Sequence, residues 1–513
     1  MKERGKSPET LGYVFGFFYS FNYLIGGFFV SIPFVFFHSG VLATLLTFLV
    51  LGLIVAITNN YTLETMGRVR ALDELNKRSF YEEISAEENI SKRNAFSLPT
   101  TRKYELNELA GVLFGRIGNA FIMLFTILTL FCTEWNYSIQ AGTSFATNVP
   151  INTSTFVTCR ETEFRETGLP TGPCLNLYRL GLLLFWLVAS MLSVIQLRDQ
   201  KYIQAMLAIL RLLFILVVSL FALVMILDRS FLSDNTHDIL NFTNNSEDIL
   251  HSGSIILRFN ALYWMNSPSI LLNSYTIIAF IPTFLYVSRN KNSIKYRLTL
   301  NNIIIFIVLT LMSVLLVFAF LDEINENFTI NWAKYTNPSY PISVQLFAHF
   351  VIFYPLIDVL SSYPTVILIH SNYVFGMLFR RDTSQLECSS KYKLVHALIK
   401  LFLNLPPIIG SLFLSNLVTL LTWTGVMNFI VFYYLPCILQ WKSQLDCVHA
   451  FQLRDRSKKF NGIPSKLYSV VRTLFLVEAP TSESSIISSY FVNICLLIIG
   501  TFVLSLIIVG HLT

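Results

Sequence analysis

Charge is scarce in this chain. Asp, Glu, Lys and Arg make up 13% of its 513 residues, where an ordinary soluble domain carries roughly a quarter. The shortage falls in long uncharged runs rather than evenly, which argues against a string of soluble domains. No segment between those runs is long enough for a conventional soluble catalytic domain. There is no Walker A loop, no HExxH helix and no GxSxG elbow, so the common nucleotide, zinc-protease and hydrolase chemistries have no sequence footing. The seven cysteines lack zinc-ligand spacing, and no cofactor is expected. The alternation of a membrane β-barrel is missing. The net charge of +6 is spread over loops and predicts no nucleic-acid partner.

What the chain has instead is apolar length. A helix needs roughly 20 apolar residues to cross the hydrocarbon core, and about eleven such runs occur. They lie near Leu11–Phe37, Val41–Leu63, Asn119–Ala146, Leu177–Leu197, Tyr202–Leu227 and Ser267–Val287. Leu298–Phe320, Ile342–Met377, Leu394–Phe413, Leu417–Leu439 and Ser488–Val509 follow. Backbone polar groups in lipid must pair within their own segment, so these runs are read as helices. The expected fold class is all-α: a polytopic protein embedded in a lipid bilayer.

Loop charge orients it. With the N-terminus in the cytosol, and leaving aside the long segment Glu64–Gly118, inside segments hold 20 Lys and Arg against 6 outside. That bias is the positive-inside rule, and an odd span count places Thr513 outside. The glycosylation sequons at Asn152, Asn241, Asn244 and Asn327 then all fall outside, where they are candidate acceptors. Cys159 and Cys174 share one outside loop, where an oxidising compartment permits a disulfide; two free thiols are the alternative. The segment Glu64–Gly118 balances nine basic against nine acidic residues and reads as a polar cytosolic connector and candidate site for a protein partner. The apolar spacing of Tyr104–Phe114 predicts a helix lying along the membrane surface.

Two runs contain backbone breakers. The first reads Asn22-Tyr-Leu-Ile-Gly26-Gly27-Phe28 with Pro33 beyond, and the sixth contains Pro282. A break at membrane depth survives only inside protein or beside a wet cavity, and such half-helix ends hold substrate in many secondary transporters. Close helix packing at the glycines and a simple proline kink are the alternatives. Four charged residues lie in spans: Glu134, Arg211, Asp358 and Lys400. Each costs about 2.5–3.5 kcal/mol at the bilayer centre, so each needs a partner or a cavity. Glu134 is read either as an ion-coupling group or as the structural partner of Arg211. Asp358 then lacks a basic partner and becomes the candidate exchangeable carboxylate, with Ser361 and Ser362 offering hydroxyls to a cation. Arg211 is read as structural charge. Lys400 is expected to snorkel to the cytosolic edge.

These residues resemble the amino acid/auxin permease family of the amino acid–polyamine–organocation superfamily, and most nearly its eukaryotic transmembrane protein 104 branch. Asn22, Gly26 and Pro33 match the family's first-span pattern, and Glu134 sits at an acidic position of that branch. Arg211 follows a similar Lys201-Tyr-Ile-Gln approach, and Pro355 and Pro364 match the eighth span. The stretch Ser415–Gly425 with Pro436 resembles the tenth. The resemblance implies two inverted five-helix repeats with an eleventh helix, and proton- or sodium-coupled transport of amino acids or similar small solutes. It assigns 11–227 to the first repeat, with a cytosolic 64–118 and an outside 147–176, and 267–439 to the second. Residues 1–10 and 440–487 are then cytosolic, 228–266 is outside, and 488–513 holds the eleventh helix and the outside C-terminus. Two departures stand out. Phe28 replaces the second glycine of the family's Gly-x-Gly turn, with Gly27 one place forward, and Ile278 and Ala279 replace a polar pair before Pro282. The candidate solute site is therefore Asn22, Gly26, Gly27, Phe28, Ile278, Ala279 and Pro282. A plasma or endolysosomal membrane is expected. A non-transporting sensor or scaffold on the same fold is the second reading, and a membrane-embedded enzyme the third.

Overall fold

The computed structural model describes residues 13–81, 98–99, 104–149, 159, 172–194, 201–227, 259–275, 278–288, 294–337, 339–379, 390–414, 416–450 and 488–512. Fifteen α-helices order the described chain: α1 (Tyr13–Ile25), α2 (Ile32–Ser39), α3 (Val41–Tyr81), α4 (Leu106–Asn148) and α5 (Gly172–Val194). Next come α6 (Lys201–Leu227), α7 (Ala261–Leu272), α8 (Ile281–Val287), α9 (Ile294–Phe320) and α10 (Ile342–Phe379). The last are α11 (Ser390–Leu403), α12 (Leu405–Ser411), α13 (Leu417–Phe429), α14 (Leu435–Ala450) and α15 (Tyr490–Leu512). Among the described residues, ten helical segments are long and apolar enough to cross a bilayer, and counting the bent pair in the first run as one span gives eleven.

The apolar runs point two ways at once. Inward residues such as Phe214 and Leu309 are buried, while Leu213 and Leu220 are each 53% exposed and Ile498 is 64% exposed. An exposed apolar belt of that kind suits hydrocarbon rather than water as the solvent. Inside the bundle α4 packs along α10, α1 along α6, α7 along α13 and α3 along α14. Those contacts bring the first and sixth runs to the middle.

Several sequence boundaries shift, each for a stated cause. The second span does not end at Leu63: α3 runs on to Tyr81. Glu64 and Arg68, read as the start of a connector, are fully buried and paired at 3.0 Å. Gln440 of α14 accepts from Arg68 at 2.7 Å and donates to Glu64 at 2.7 Å, and Ser488 also donates to Glu64. A charge pair that satisfies itself can stay inside protein, and hydropathy has no access to that. The surface-helix expectation is also modified. Leu106–Phe114 joins the third span at Gly115 (φ +70°), and it buries Leu106, Leu109 and Leu113 against protein while Val112 and Phe114 face out. The tenth span reaches Ala450 through a π-turn at Ile430–Tyr434. The turn just precedes Pro436, whose ring would clash with the carbonyl four residues back in a regular helix.

Cys159 and Cys174 form a disulfide, with Cα atoms 5.7 Å apart. Asn152, Asn241 and Asn244 lie outside the described residues. Asn327 does not fit its reading as a glycan acceptor. It caps the 3-10 helix Phe328–Thr336, its Oδ1 accepts from Thr329 N and Oγ1, and it is 5% exposed.

Candidate functional site

The first span breaks where the glycines predict. α1 stops at Ile25, the chain passes through a 3-10 segment at Gly26–Ser31, and α2 restarts with Pro33 in its first turn. The two halves are bent by 54°. Gly26 has φ +45°, a left-handed conformation that costs an L-residue about 1–2 kcal/mol. Gly27 lies where a Cβ would come 2.5 Å from Gln140 Oε1 and 3.0 Å from Val359. Gly26 therefore needs the freedom of glycine, and a side chain at Gly27 would have to displace Gln140.

The sixth span also leaves regular α-helix close to Pro282. α7 ends at Leu272, 3-10 turns occupy Asn273–Tyr275 and Ile278–Phe280, and Pro282 sits in the first turn of α8. There its missing N–H costs nothing, so the proline restarts a helix rather than kinking one. Ile278 and Ala279 are fully buried. The two breaks touch: Tyr23 stacks on Phe280 with centroids 4.6 Å apart. Phe28 turns onto Tyr137 of α4 at 5.3 Å.

Beside this junction lies the strongest polar centre of the described molecule. Arg211 of α6 is fully buried and donates from Nε to the Asp358 carboxylate of α10. Its other nitrogens donate to the carbonyl of Asn22, to Ser361 Oγ at 3.2 Å and to Ser362 Oγ at 3.0 Å. Asn22 is among the last four residues of α1, whose carbonyls have no intrahelical partner and carry the negative end of the helix dipole. One guanidinium thus fills the free end of the broken span and the hydroxyls of α10. The Asn22 side chain is held separately by Gln204 of α6, which also donates to the Ser361 carbonyl at 2.9 Å.

This corrects two sequence readings. Arg211 pairs with Asp358, not with Glu134, and Asp358 does have a basic partner. The hydroxyls of Ser361 and Ser362, read as ligands for a mobile cation, are taken by a fixed one. Glu134 instead meets His370 of α10, Oε1 to Nδ1 at 2.8 Å, both side chains buried. Sequence reasoning missed His370 because it weighed only Asp, Glu, Lys and Arg as intramembrane charges. The signal was present: one of eight histidines in the chain, central in an apolar run. Lys400 does not snorkel; it is 5% exposed and donates to the Ser193 carbonyl at 3.0 Å, near the free C-terminal end of α5.

A further set of uncharged polar groups surrounds the junction. Asn136 of α4 donates to Thr424 of α13 at 2.8 Å, and Asn428 of α13 donates to Asn273 Oδ1 at 2.5 Å in the second break. Asn273 in turn donates to the Leu421 carbonyl at 3.2 Å. The structure therefore joins Asn22, Gly26, Gly27, Phe28, Ile278 and Ala279 in one region with Asp358, Ser361 and Ser362. Glu134 forms a separate pair with His370 between α4 and α10.

No family model and no curated protein matches this chain. Among solved structures it is similar to MhsT in complex with L-phenylalanine, at 12% identity and TM-score 0.50, covering 97% of this chain and 100% of that one. Two mutants of the Eremococcus coleocola manganese transporter also resemble it, each at 12% identity and TM-score 0.42, covering 96% of this chain and 94% of theirs. The fold is the five-plus-five inverted-repeat transporter fold with an eleventh helix.

Proposed function

We propose that this chain is a secondary active transporter that moves amino acids or similar small solutes by alternating access, coupled to a proton or sodium gradient. The observation that carries the reading is the contact between two stretches where α-helix gives way to 3-10 turns, Gly26–Ser31 in the first span and Asn273–Tyr275 in the sixth. Breaks in matching spans release backbone N–H and C=O groups in the middle of a bundle, the usual seat of a solute in such folds. The N-terminal ends of α2 and α8 favour a carboxylate, while Phe28, Ile278 and Ala279 offer an apolar wall to the rest of the solute. With Asp358, Ser361 and Ser362 engaged by Arg211, Glu134 is the coupling candidate. The resemblance to the amino acid/auxin permeases supports the solute class, and the likeness to a phenylalanine-bound structure is consistent with it. In this reading the N-terminus is cytosolic, the C-terminus outside, and the protein resides in the plasma or endolysosomal membrane as a glycoprotein.

A second reading has one observation in its favour. Phe28 on Tyr137 and Tyr23 on Phe280 place aromatic rings at the junction itself, as a sensor or scaffold with a sealed centre would. A partner would then engage the segment Glu64–Gly118, whose first part continues α3 as helix to Tyr81. A thermal-shift screen of the purified protein against amino acids separates the two. A ligand that binds only the folded state stabilises it in proportion to the logarithm of its concentration. A concentration-dependent rise with a subset of amino acids, lost in Gly27→Leu, supports the transporter. No rise with any of them supports the scaffold.

A further inference from the structure

Asp358 is committed to a cation that never gives up its proton, since guanidinium stays charged in proteins. Glu134 is not so committed. Its partner His370 carries a ring nitrogen that can either hold or lack a proton, and the two face each other from α4 and α10, the most extensively packed helix pair. Both side chains are essentially sealed, Glu134 at 0% and His370 at 3%. Each uses one atom on the other, and among the described residues Glu134 Oε2 and His370 Nε2 have no hydrogen-bond partner. The unmet atoms leave each member of the pair a position at which a proton can sit. Two open positions on a titratable pair are what arrival and departure of a proton require.

We propose that Glu134 and His370 form a proton-binding pair at mid-membrane, separate from the Arg211–Asp358 pair. With one proton the pair is neutral overall, as carboxylic acid with imidazole or as carboxylate with imidazolium. Release of that proton leaves carboxylate beside neutral imidazole, a net negative charge inside the bundle. Uptake restores neutrality, and no other co-reactant is needed. The ionisable groups near Glu134 are Cys132 on its own helix and Tyr363 on α10. Charges of the neighbouring helices are engaged elsewhere: Glu64 of α3 with Arg68, and Lys442 of α14 with Asp446 at 2.7 Å. Lys400 is bound to Ser193, Arg211 to Asp358, and His396 of α11 meets Ser371 Oγ at 2.9 Å. Tyr178 of α5 donates to the Ser411 carbonyl, and Arg179 is exposed. α12 and α13 contribute no titratable side chain. The pair gives the transport reading its proton site, and the test reads protonation without flux, so either can fail alone.

The experiment is infrared difference spectroscopy of the full-length protein in lipid between about pH 5 and pH 8, the span over which carboxyl and imidazole groups exchange protons. Carboxyl-13C glutamate labelling assigns the bands without a mutation. The expected result is a titrating carboxylic C=O band that shifts on glutamate labelling and is absent in Glu134→Gln. Its midpoint moves in His370→Gln. A spectrum with no buried glutamate band, a band that survives Glu134→Gln, or a midpoint unmoved in folded His370→Gln overturns the proposal.

Discussion

Arg211 and Asp358 meet inside the bundle with neither side chain exposed beyond 1%, and the same guanidinium takes the carbonyl of Asn22. One residue of α6 therefore ties the broken end of α1 to α10. Removing one member of a buried pair leaves an uncompensated charge and costs about 3–5 kcal/mol. Arg211→Ala and Asp358→Asn are each expected to lower the unfolding temperature strongly. Arg211→Lys loses the planar fork and should not rescue. The double variant Arg211→Met with Asp358→Leu should unfold at a higher temperature than either single charge deletion. Thermal unfolding in detergent checks this, and a double variant as unstable as the sum of the two contradicts it.

The left-handed Gly26 supports a second prediction. Gly26→Ala adds about 1–2 kcal/mol of backbone strain and brings a methyl against the Tyr137 hydroxyl. Tyr137→Phe should relieve the contact but not the strain, so the double variant recovers only part of the lost stability. Full recovery in the unfolding temperature would mean that the backbone conformation at Gly26 is not required.

The disulfide makes a third. Cys159 and Cys174 are 15 residues apart, and closing such a loop stabilises by about 3 kcal/mol in the chain-entropy model. Cys159→Ser should lower stability by about 2–4 kcal/mol and leave Cys174 open to maleimide labelling. Labelling of Cys174 in the unreduced wild type would contradict the bond.

Glycosylation gives a fourth. Asn327 is spent on capping Phe328–Thr336, so Asn327→Gln should not change the glycosidase-sensitive mobility shift. Asn152→Gln, Asn241→Gln or Asn244→Gln is expected to reduce it. Loss of the shift in Asn327→Gln alone would show that this cap is not the mature conformation.

The spans were legible because bilayer thickness imposes run length, and the first break because Gly26 and Gly27 are adjacent in an apolar run. Partners across spans were not. Sequence fixes neither the rotation of α4 nor its depth against α10, so Glu134 was offered Arg211 when the fold supplied His370. Glu64 and Arg68 ended a span by hydropathy, although each removes the other's charge from the helix. Lys400 was sent to the surface because a free carbonyl at the end of α5 cannot be seen in a hydropathy profile. The 3-10 turn at Asn273–Tyr275 was not legible because none of its residues forbids helix; its visible partners, Leu421 and Asn428, come from α13.

Uptake of radiolabelled amino acids into proteoliposomes, with imposed inward proton or sodium gradients, tests the central claim most directly. The account predicts that some of them accumulate above protein-free vesicles, that dissipating the gradient collapses the accumulation, and that Gly27→Leu abolishes it. Flux no greater than in protein-free vesicles, for every amino acid and both gradients and with protein that still unfolds cooperatively, would contradict transport.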